Sequence, residues 1–139
     1  MGQDAAEAAS FVTTIAPWLS LRGGARAVEF YKAAFGAVET FRLENEGSVV
    51  SRLSVNGAEF WLSDESPEHG NLSPESARGN SVRMILTVAD PDAVFARAVS
   101  AGAAVVQPVS DMHGWRVGRV ADPFGHHWEI GREIGRLLR

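Results

Sequence analysis

Cysteine is absent from this 139-residue chain, so disulfides, thiolate catalysis and cysteine-bound zinc are excluded. No apolar run approaches the roughly 20 residues that cross a bilayer. The acidic, small-residue start MGQDAAEAAS lacks the positive charge and apolar stretch of a signal peptide. The expected compartment is therefore the cytoplasm, with no membrane partner. The 13 lysines and arginines are scattered and the net charge is −4. That leaves no clustered basic face of the kind nucleic acid requires. No Gly-x-Ser-x-Gly elbow and no His-Glu-x-x-His or His-x-x-x-His spacing occurs, and Gly23-Gly24 and Gly114 stand alone rather than in a phosphate loop.

Hydrophobic residues make up 45% and charged residues 22%, ordinary values for a globular protein. A chain of this size removes about two thirds of its unfolded surface from water. Alternation of apolar and polar residues predicts a strand over Thr14–Leu21. Helical spacing of Val28, Tyr31 and Phe35 predicts a helix over about Ala25–Phe35, ended by Gly36. Strands follow over Ala37–Leu43, Ser48–Val55 and Ala58–Ser63, with Asn56-Gly57 as a hairpin turn. Asp64 to Asn80 is polar, carries Pro67 and Pro74, and reads as a mobile crossover loop. A strand over Ser81–Val88 comes next. A helix from Asp90-Pro91 to Ala101 has an N-cap aspartate and a first-turn proline. Strands over Ala104–Val109, Arg116–Ala121 and His127–Ile130 complete the pattern, and Arg132–Arg139 reads as a short helix or a tail.

The two halves repeat with an offset of about 67 residues, a duplication in the sense that repeat searches seek. Leu19-Ser20-Leu21 falls on Leu86-Thr87-Val88. Gly57, Phe60 and Leu62 fall on Gly125, Trp128 and Ile130. Two strand-helix-three-strand units set side by side would enclose a concave trough, the usual shape of a small-molecule site. Pairing of unprotected edges predicts a homodimer.

Ala27-Val28-Glu29-Phe30-Tyr31-Lys32-Ala33-Ala34-Phe35-Gly36-Ala37 and Arg119-Val120-Ala121-Asp122-Pro123-Phe124-Gly125-His126-His127-Trp128 resemble two signatures of the vicinal oxygen chelate superfamily. This superfamily takes in glyoxalases, bleomycin-resistance proteins and dioxygenases, and the resemblance is to its PhnB-like subgroup. It implies an α+β fold of paired βαβββ modules, the glyoxalase/bleomycin-resistance fold, with mixed curled sheets enclosing a trough. The expected organisation is a flexible stretch over 1–12, a domain over 13–131 and a tail over 132–139. The domain comprises module one over 13–64, a linker over 65–80 and module two over 81–131.

The resemblance also implies four metal-ligand positions, from the first and last strand of each module. They fall on Ala16, Trp61, Arg83 and Glu129. Only Glu129 can ligate, and an arginine repels a cation. No cofactor is therefore expected, a divalent metal being the alternative. Arg83 is expected to neutralise Glu129 or to grip a ligand carboxylate or phosphate. Trp18 and Trp61, with Ser20 and Ser63 on the same faces, are expected to line the trough, and Trp115 its rim. His127 shares a face with Glu129, and the two are the candidate catalytic bases. A metal held by His113, His127 and Glu129 is a further candidate. His69 is expected to be solvated, as are Asp64, Glu65 and Glu68 in their acidic loop. The expected function is binding of a small organic ligand in a trough with a degenerate metal site. The alternatives are a metal-dependent enzyme of glyoxalase, isomerase or dioxygenase type and a metal-free enzyme using Glu129 or His127.

Overall fold

The computed structural model describes residues 10–135. The loose N-terminal segment expected over 1–12 falls largely outside them, as do residues 136–139 of the expected tail. The first half runs β1 (Trp18–Leu21), α1 (Gly24–Phe35), β2 (Val38–Asn45), β3 (Ser48–Val55) and β4 (Ala58–Asp64). A 3-10 turn (Pro67–His69) and a one-turn helix α2 (Pro74–Ala77) follow. The second half runs β5 (Met84–Thr87), α3 (Pro91–Ala101), β6 (Ala104–Met112), β7 (Trp115–Ala121) and β8 (His127–Glu133). Each half forms one four-stranded mixed sheet, ordered β1-β4-β3-β2 and β5-β8-β7-β6. The first and last strands of each half pair in parallel. The predicted duplication thus appears as two sheets of identical topology.

Both outer parallel strands are shorter than predicted. Residues 14–17 have no ladder partner, because β4 first meets this segment at Trp18, and Ile15 is 98% exposed. Residues 81–83 likewise precede the pairing of β5 with β8, which starts at Met84 opposite Trp128. Arg132 and Glu133 extend β8 rather than opening a helix.

Alternation gives each sheet a back and a front. The backs, with both helices, bury one cluster that runs through both halves. It includes Leu21, Tyr31, Leu53, Phe60, Leu62, Val120, Trp128 and Ile130. Tyr31 crosses between halves: its hydroxyl donates a short hydrogen bond to Asp122, at the turn before β8. The Asp122 carboxylate also accepts from Trp128 Nε1 at 2.9 Å, Phe124 N at 2.9 Å and His126 N at 3.0 Å. Burial and the neighbouring Asp122 charge raise the Tyr31 phenol well above its ordinary range, so it stays a donor. His126 Nε2 meets the Ser20 carbonyl at 2.8 Å and adds a second tie between halves. The two signature segments therefore meet in the core and weld the modules together.

The predicted mobile loop is instead pinned: Asp64 and Glu65 are anchors rather than solvated charges, while Glu68 is exposed as expected. Asp64 caps α1 from outside the helix. It accepts from Gly23 N at 3.2 Å and Gly24 N at 2.9 Å through Oδ1, and from Val49 N at 2.8 Å through Oδ2. A Cβ at Gly24 would lie 2.8 Å from Asp64 Oδ2, so the close approach requires glycine. Glu65 accepts from Ser73 N at 2.8 Å, Ser76 Oγ at 3.0 Å and Arg22 Nε at 3.1 Å. These bonds, the Ser73 amide first, hold its carboxyl down to about 2. A lowered folded-state value stabilises above the unfolded one and is lost on acidification. The loop is expected to loosen as pH falls from 4.5 towards about 2. E65Q should show faster amide exchange over 66–80 at pH 7, with the sheets unaffected. Exchange equal to wild type would show that Glu65 does not anchor the loop.

Candidate functional site

Parallel pairing of β1 with β4 places Trp18 opposite Trp61 and Ser20 opposite Ser63. The indoles stack, with centroids 5.4 Å apart and planes 6° from parallel. Trp18 Nε1 donates to Ser63 Oγ at 2.9 Å, which fixes the ring. The expected grouping of Trp18, Trp61 and Ser63 is present on the front of the first sheet. Two neighbours had not been anticipated. The Arg52 guanidinium lies 5.2 Å over the Trp61 ring, and Phe41 tilts against it at 5.7 Å. Arg52 faces Trp61 directly across the β3–β4 ladder, a position visible only once register is known. Trp18 remains 52% exposed and Phe41 43%. The result is an open aromatic platform edged by a cation. Trp18 and Ser20 also border a cleft of about 720 Å³ between the halves, completed by residues of the 70–82 segment such as Asn71, Leu72 and Val82.

The second sheet carries the equivalent register positions with different chemistry. Ile85 stands opposite Glu129, as Trp18 stands opposite Trp61. Arg83, two residues before Ile85, reaches diagonally, and its Nε donates to Glu129 Oε2 at 2.8 Å. Arg119, opposite Glu129 across the β7–β8 ladder, donates to Oε1 at 3.2 Å. The Arg83 bond first, and Arg119 second, hold the Glu129 carboxyl below the ordinary carboxylate range. Glu129 is therefore a poor proton acceptor near neutral pH. Arg83 is 57% exposed, so water screens the pair and its contribution to stability is small.

Two clefts flank this ion pair. One, of about 290 Å³, is lined by Asn80, Ser81, Val82, Arg83, Arg119 and His127. The other, of about 240 Å³, is lined by Ile85, Met112, His113, Trp115, Val117, Glu129 and Gly131. Trp115 thus stands beside Glu129, and His127 beside the arginines. The tryptophan pair lies on the first sheet and the Glu129 ion pair on the second. Within one chain the expected shared trough is open, with its two groups of candidates on separate front faces.

The donor set does not fit a metal. Ala16, Trp61 and Arg83 offer no ligand at the implied positions, and both oxygens of Glu129 are engaged by guanidinium groups. Among the described residues no three of His, Asp or Glu are grouped to hold an ion, so His113, His127 and Glu129 do not assemble one. His69 is exposed, and its Nδ1 meets Ser66 Oγ at 2.8 Å. No helix of the described residues is long and apolar enough to cross a membrane.

Residues 19–131 match the family model of the glyoxalase-like domain. The chain belongs to the glyoxalase-like family. A relative, an uncharacterised protein of Mycobacterium bovis, is 40% identical over 126 residues, covering 86% of this chain and 83% of that one. The crystal structure of an Arabidopsis thaliana gene product superposes with a TM-score of 0.64 at 33% identity, over 86% of this chain and 96% of its own. TioX from Micromonospora sp. ML1 superposes with a TM-score of 0.69 at 28% identity, over 88% of this chain and 99% of its own. The glyoxalase-like family and the fold of two mixed sheets are thus as the sequence predicted.

Proposed function

We propose that this chain binds a small organic ligand on the front faces of its sheets without a metal, as a homodimer whose second copy covers those faces. The observation that carries the reading is the Trp18–Trp61 stack, half open to solvent and edged by Arg52. Flat aromatic surface of this kind stacks on planar or apolar ligands, and its burial contributes about 25 cal/mol per Å². Exposed front-face side chains support the second copy: Phe41 and Leu43 on the first sheet, Ile85 and Met112 on the second. Apolar patches of this extent mark interaction surfaces.

The test is a tryptophan-fluorescence screen of planar and apolar compounds against metal-free protein. Hits are expected to bind W61A about tenfold more weakly, a loss of about 1.4 kcal/mol. Sedimentation should give twice the 14.9 kDa chain mass. A screen with no hits, or hits indifferent to W61A, would remove the reading. A monomer would remove its dimeric part.

A further inference from the structure

On the reading that the front faces bind a small ligand, the geometry points to the class of ligand the second sheet takes: a monoanionic carboxylate on an apolar or aromatic body. Two clefts flank one ion pair there. The first is polar and cationic, with Arg83, Arg119, His127, Ser81 and Asn80 on its walls. The second is apolar, with Ile85, Met112, Trp115 and Val117 around Glu129. A molecule spanning both must have a polar end and an apolar end.

Charge decides the sign of the polar end. Arg83 and Arg119 together bring two positive charges against the single negative charge of Glu129, a balance of +1. One further negative charge neutralises the group. A dianion would overshoot, and a cation would compete with two guanidinium groups for oxygens already bonded. Geometry decides its shape. Arg83 bonds Glu129 through Nε, and among the described residues its two terminal nitrogens donate to nothing. A guanidinium fork offers parallel donors to a planar carboxylate, and such charge-assisted pairs are about twice as strong as neutral ones. Gly131 lines the apolar cleft and must be glycine, because a Cβ would lie 2.6 Å from the Arg116 carbonyl oxygen.

The experiment is calorimetric titration with 2-naphthoate and its neutral isostere 2-naphthamide. 2-Naphthoate should bind wild type about tenfold more tightly than the amide. R83Q should lose about tenfold for the acid and leave the amide unchanged. E129Q should bind the acid more tightly than wild type, because it leaves both guanidinium groups uncompensated. No folding defect produces that gain. Equal affinity for acid and amide, an E129Q protein that binds the acid no better, or no binding of either would overturn the assignment. Hits from the broader screen that depend on Trp61, with neither naphthalene probe bound, would overturn it while sparing the binding reading itself.

Discussion

Replacing Asp122 with asparagine is expected to lower the unfolding free energy by about 3 kcal/mol, measured by urea denaturation. The carboxylate is 5% exposed and accepts four hydrogen bonds, from Tyr31, Phe124, His126 and Trp128. Asparagine keeps the shape but turns one acceptor oxygen into a donor. If the amide nitrogen replaces Oδ2, it faces the Trp128 N–H; if it replaces Oδ1, it faces two backbone N–H groups. Either way a buried donor is left unsatisfied, at about 1–3 kcal/mol each. The tie between Tyr31 and the second half weakens as well. A loss under about 1 kcal/mol would show that this hub is not what joins the halves.

Trp128→Ala is expected to cost about 4 kcal/mol, the upper range for removing a buried aromatic. The ring is 2% exposed. It packs against Phe35 at 4.9 Å, Phe60 at 5.3 Å and Tyr31 at 5.5 Å, bridging β4, α1 and β8. No side chain of similar bulk is placed to fill the space, and Asp122 loses a donor besides. W128F keeps most of the ring and should cost about 1–2 kcal/mol, chiefly the lost Nε1 bond. Because the two residues share that bond, D122N should cost less in the W128F background than in wild type. Strict additivity would contradict a shared network.

Local chemistry made much of this fold legible. Gly36 takes the left-handed conformation, at φ 68°, that ends α1. Asp90 caps α3 through the Ala93 amide at 3.2 Å. Asn56 and Gly57 both take positive φ in the predicted hairpin turn. These are contacts between near neighbours, which composition and spacing encode. The loop over 65–80 was misread because Glu65 is fixed partly by Arg22, 43 residues away, and by backbone donors of its own turn. Its acidity reads as solvation until those partners are placed.

The site divides along the same line. Arg83 and Glu129 were found because the family resemblance implies ligand positions there, and the predicted ion pair forms. Arg119 and Arg52 were missed because ladder register alone brings them to Glu129 and Trp61. The separation of the two front faces was also hidden. Apolar periodicity says which side of a sheet is buried, but not how one sheet sits against another. The signature residues Tyr31 and Asp122 prove to be core partners rather than site residues.

Calorimetric titration of zinc, manganese, nickel and ferrous ions into chelator-treated protein, and into E129Q, tests most directly whether arginine has taken the cation's place. The account predicts no stoichiometric uptake, identical traces for the two proteins, and ligand binding that chelator leaves unchanged. Uptake of one ion per chain at micromolar affinity, lost in E129Q, would contradict it.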